Sequence, residues 1–114
     1  MTPRVADPYA PLRDAVFAAV LGGPGETAPA LRHAAAENAG ASLASDASGG
    51  RTALATLVAK MHQHAYRVTD DDVASLRAVY GDDALFELIV SAALGASRAR
   101  LDAGLRALDA SEDP

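Results

Sequence analysis

Apolar residues recur along this chain at helical spacing, and no stretch alternates β-branched residues as a half-buried strand would. The pattern predicts an all-α fold of five helices. The first spans about Pro11 to Leu21, with Leu12, Val16, Ala19 and Val20 on its inward stripe, and Gly22-Gly23-Pro24 ends it. Thr27 is placed to cap a second helix that starts with Pro29 in its first turn. Leu31, Ala34 and Ala35 face inward there, before Asn38 to Gly40 breaks it.

From Gly40 to Gly50 only Leu43 offers an anchor among Gly, Ala, Ser and Asp, so the stretch to about Arg51 reads as a mobile loop within a single domain covering 1–114. Thr52 opens a third helix in which Leu54, Leu57, Val58, Met61 and Ala65 share a face. Thr69-x-x-Asp72 has the form of a capping box for a short fourth helix, with Val73, Leu76 and Tyr80 or Val79 inward and Gly81 as its stop. From Asp82 or Asp83 to about Asp109 no proline intervenes, and a helix of up to about 27 residues there would be roughly 40 Å long.

This last helix carries two stripes. Small residues recur at every fourth position, Ser91, Gly95, Ala99, Ala103 and Ala107, and leucines stand at 94, 101 and 108 with Leu105 beside them. Small residues let backbones approach closely. They mark either an internal helix crossing or a subunit interface built from Ser91, Gly95, Ala99 and Ala103.

Composition sharpens the expectation of assembly. Half of the 114 residues are apolar, but 28 of these are alanine, which leaves 29 larger side chains to build a core. So thin a core in so small a domain favours a homo-oligomer. Fifteen acidic residues against ten basic ones, a net charge of −5, argue against a nucleic-acid partner. The most apolar window, Ala84 to Ala96, is too short to span a membrane, and the first residues lack the form of a signal peptide. The absence of cysteine excludes disulfides, thiolate metal sites and dithiol redox chemistry, and agrees with a cytoplasmic location.

The run Val68-Thr69-Asp70-Asp71-Asp72-Val73, followed by Leu76-Arg77, Gly81, Asp83, Leu85-Phe86-Glu87 and an alanine-rich continuation through Arg100-Leu101, resembles the carboxymuconolactone decarboxylase/alkylhydroperoxidase-like superfamily. The likeness covers about the C-terminal half of the chain. It implies a helical hairpin following the family's catalytic helix. Here Tyr80 precedes the glycine and Asp82 follows it directly, where the family usually places an aromatic or aliphatic residue before the acidic cap. The redox members also use a Cys-x-x-Cys pair followed by a His, and no residue here supplies the sulfur, so that peroxidase chemistry is excluded for this chain alone. The resemblance therefore implies a non-redox, cysteine-less protein that acts by binding or oligomeric assembly beside a catalytically complete partner.

The alternative is a cofactor-free acid–base enzyme acting on a small carboxylic acid. His62 or His64 would move the proton, Glu87, alone among carboxylates in the apolar window, would help, and Arg67 or Arg77 would hold the substrate. No cofactor or metal is expected. His33 and Glu37 have i, i+4 geometry, but His62 and His64 diverge by about 200° on a helix and do not share a ligand face.

Overall fold

The computed structural model describes residues 7–43 and 49–112, with side chains in the second span from 52 to 111. Among the described residues the chain is helical and without strands. It forms α1 (Ala10–Gly22), α2 (Pro29–Glu37), the single turn α3 (Gly40–Leu43), α4 (Gly49–Gln63), α5 (Asp70–Tyr80) and α6 (Asp82–Glu112), with a 3₁₀ turn at Ala65–Arg67. No helix among these residues is long and apolar enough to cross a membrane.

The predicted punctuation explains most boundaries. Pro29 opens α2, and Asn38, in the left-handed region at φ 56°, closes it. Thr69 and Asp72 form the expected capping box: the Thr69 hydroxyl accepts from the Asp72 N–H at 3.2 Å and the Asp72 carboxylate from the Thr69 N–H at 3.0 Å. Lys60 of α4 donates to the same carboxylate at 2.8 Å and, with the capping bonds, holds the Asp72 carboxyl below its usual range. Gly81, at φ 81°, turns the chain from α5 directly into α6.

Three expectations are corrected. The stretch read as a loop from 40 to 51 is helical at both ends. Leu43 is fully buried and anchors the α3 turn, while residues 44–48 lie outside the described part. In α1 the buried residues are Phe17 and Leu21, whereas Leu12 and Val16 of the predicted inner stripe are exposed. Alanines on both sides of that helix make its apolar faces nearly equivalent, so the largest side chain, Phe17, decides the orientation. Thr27 does not cap α2; Ala28 occupies that position and the Thr27 hydroxyl is used elsewhere.

The core gathers Leu54, Leu57 and Val58 of α4, Leu76 of α5, and Leu85, Leu88 and Ala92 of α6, closed by Leu43 and by Ala34 and Ala35 of α2. Against it lies the N-terminal half of α6. α6 has 31 residues and is about 46 Å long at ~1.5 Å rise per residue. The small-residue stripe serves the internal crossing here. Ser91 is fully buried, its hydroxyl satisfied by the Glu87 carbonyl at 2.8 Å, and Gly95 meets the backbone of Ala36 in α2. Ala99 and Ala103, the other half of that stripe, are exposed.

A β-carbon at Gly95 would overlap the Ala36 carbonyl, which is backbone and cannot swing aside. Gly95→Ala is therefore expected to lower unfolding stability by about 1–3 kcal/mol through forced separation of α2 and α6. Urea denaturation measures it, and an unchanged midpoint would contradict this packing.

Candidate functional site

The segment between α1 and α2 has little side-chain bulk of its own, and it is held from both sides. Arg32 projects from α2 into the interior and is only 3% exposed. Its guanidinium donates to the carbonyls of Val20 at 2.6 Å, Gly23 at 2.5 Å and Thr27 at 3.2 Å. From the opposite direction the Glu87 carboxylate of α6 accepts the Glu26 N–H at 2.6 Å, the Thr27 N–H at 2.9 Å and the Thr27 hydroxyl at 2.7 Å. Gly25 fits beneath it because a β-carbon there would stand 2.8 Å from either Glu87 oxygen.

These donors decide what Glu87 can do. The Thr27 hydroxyl first, then the Glu26 and Thr27 N–H groups and the Arg32 charge, hold its carboxyl below the usual carboxylate range. A general acid or proton carrier working near neutrality needs the opposite shift. The expected pairing with His62 is also not assembled. His62 Nε2 lies 2.9 Å from the Ala35 carbonyl, near the C-terminal end of α2, and since a carbonyl only accepts, the ring nitrogen donates. Arg100 donates to the His62 carbonyl at 3.3 Å. Arg100 and Glu87 are separated by 13 positions on α6, about 20 Å. His62 and Glu87 thus serve opposite ends of α2.

The remaining candidates are placed as follows. His64 is exposed, its ring 5.6 Å from that of Tyr66, and the Arg67 guanidinium lies 6.0 Å from the Tyr66 ring centre. Arg77 is exposed and pairs with Asp82 at 2.8 Å. His33 and Glu37 do share a face. They line a cleft of about 570 Å³ between α1, α2 and α6, whose floor includes Phe17 and Leu21 and whose rim includes Asp14, Arg98 and Asp102. Arg98 is already engaged there, stacked 4.8 Å over the Phe17 ring and 3.2 Å from Asp14. Among the described residues no three His, Asp or Glu side chains are gathered to hold a metal ion.

The most conspicuous unsatisfied surface is apolar. Beyond Gly95 and Ala96, α6 touches the body along one side, through Arg98, Arg100 and Asp102, and on its other side Leu101, Leu105 and Leu108 are exposed. On α1, Tyr9, Leu12 and Val16 are exposed as well. Sequence reasoning left the small-residue stripe between an internal crossing and a subunit interface, and missed Arg32 altogether. Its signal was present, because Arg32 lies three positions before Ala35 and seven before Ala39, on the inner stripe of a short alanine helix. No family model, curated protein or solved structure matches this chain.

The lowered Glu87 carboxyl gives a pH test. A carboxyl depressed by folding stabilises the native state above its unfolded value of about 4.3, and that contribution fades as the pH falls through the lower folded value. Glu87→Gln removes the charge and sets an amide NH₂ against the N–H of either Glu26 or Thr27. Wild type is expected to be more stable than the variant at pH about 6–7, with the gap in urea midpoint closing as the pH falls below the unfolded value and through the lower folded one. A gap that stays constant with pH would contradict the clamp.

Proposed function

We propose that this chain is a non-redox, cysteine-less protein of the carboxymuconolactone decarboxylase/alkylhydroperoxidase-like kind, and that it works by oligomeric assembly rather than by catalysis of its own. The observation that carries the reading is the outer leucine stripe in the second half of α6. Leu108 is 62% exposed, and Leu101 and Leu105 are each more than one-third exposed on the same stripe, and large apolar side chains clustered on one stripe mark a contact. The thin alanine-rich core points the same way, as burial between subunits supplies apolar contacts that a 114-residue chain lacks internally.

The family likeness is supported by the hairpin of α5, Gly81 and α6, which holds the residues that carry the resemblance. The acid–base alternative loses its geometric support, because Glu87 is bound to the α1–α2 segment and His62 to Ala35. The absence of thiols leaves any redox step to a catalytically complete partner.

The test is the mass of the native protein in solution. Wild type is expected to form an oligomer, and Leu101→Glu with Leu108→Glu to reduce it to the 11.6 kDa chain with helix content retained. Light scattering and circular dichroism read the two quantities. A wild type that is already monomeric at about 100 μM, far above the concentrations at which specific interfaces form, would overturn the proposal.

A further inference from the structure

Resting on that assembly reading, we infer that the occupant of the exposed α6 face is the α6 of a second copy, paired in parallel and in register as a short two-stranded coiled coil. Leu94, Leu101 and Leu108 recur at intervals of seven, and Leu105 falls between the last two. That is the spacing by which identical helices interlock side chains along one seam, Leu94, Leu101 and Leu108 taking the d positions and Leu105 an a position. Arg98 holds the preceding a position and is turned off the seam, bound to Asp14 at 3.2 Å and stacked on Phe17.

Charge selects the orientation. Asp102 and Asp109 occupy successive e positions on one flank, and Ser97, Gly104 and Ser111 occupy the g positions on the other. In an antiparallel pair e faces e, so carboxylate meets carboxylate in either register. A parallel pair sets e against g of the partner, and each aspartate meets a small neutral residue. The flank bearing Asp102 also borders α1, whose Arg13 acts on Asp102 and whose Asp14 receives Arg98. In the parallel pair α1 of one copy therefore runs beside the small g flank of the other.

The contact is a small one. Leu108 is 62% exposed, Leu101 39% and Leu105 36%. Their seam buries less than the ~800 Å² per partner of a standard interface, as a two-stranded pairing of about two heptads does.

X-ray scattering from the wild-type protein, coupled to size exclusion, tests mass and shape together. Twice the 11.6 kDa chain mass is expected. Its longest dimension should stay below about 65 Å, because both bodies lie at the same end of the paired helices and a single chain is 52 Å long. A dimer about 80 Å long would place the bodies at opposite ends and overturn the parallel pairing while leaving assembly intact. A single-chain mass would sink both readings, and a larger oligomer would overturn the two-stranded pairing alone.

Because the chain has no cysteine of its own, Leu101→Cys and Leu108→Cys give clean single-site reporters. Under mild oxidation each should link to itself in the parallel pair. An antiparallel pair brings at most one of these sites to its symmetry axis, since they lie about 10 Å apart along the helix. Self-linking at only one of them, in variants that keep the wild-type mass under reducing conditions, would count against the inference.

Discussion

The placement of α1 and α2 on α6 depends on one arrangement: the backbone between α1 and α2 is held by a buried guanidinium on one side and a carboxylate on the other. Arg32 takes the carbonyls of Val20, Gly23 and Thr27, and Glu87 takes the N–H groups of Glu26 and Thr27 together with the Thr27 hydroxyl. A buried cation is tolerable only when its charge is compensated and its donors are used, and the same holds in reverse for the carboxylate. Here the backbone between them accepts from both Arg32 Nη groups, leaving the Nε–H without a partner among the described residues, and donates to both Glu87 oxygens. A stretch rich in Gly and Pro, which could not hold itself by apolar contact, thereby acquires a fixed path linking three helices.

That solution suits a chain so rich in alanine. Alanine favours helix but supplies little area to tell one helix face from another. The ends of the helices were consequently legible in the sequence, since Pro29, the Thr69–Asp72 box and Gly81 act through local backbone chemistry. The inward faces were legible only where large side chains dominated, as in α4, where Leu54, Leu57 and Val58 are buried as expected. In α1 two apolar stripes competed, and Phe17, which covers more area than Leu12 or Val16, was placed inward. The choice belongs to tertiary packing, which no local pattern encodes.

The candidate site divides along similar lines. Glu87 was identifiable as an unusual carboxylate because it interrupts an apolar window, but its purpose depended on a partner 60 positions away, in a segment whose own sequence announces only a turn. His62 was equally visible, and its Nε2 donates to a main-chain carbonyl that every residue type carries, so no sequence pattern could have named it. Side chains that bind backbone leave no complementary residue to find. Arg32 is the instructive case, since its only trace was an alanine stripe on which it fell.

Glu87 also stands seven positions before Leu94, at the head of the stripe that continues through Leu101 and Leu108. At its first position the stripe meets the clamped segment, at Leu94 it is half-buried, and from Leu101 onward the side chains are exposed. The small residues show the complementary gradient, buried at Ser91, packed on Ala36 at Gly95 and exposed from Ala99 onward. One helix thus serves two surroundings in succession. Its first half packs into the core, and its second half touches the body through Arg98 and Arg100 while the leucine stripe continues on the outer side. Helix formation alone does not account for that leucine spacing, because an exposed helix needs no repeated leucine to remain helical when alanine, arginine and glutamate serve as well.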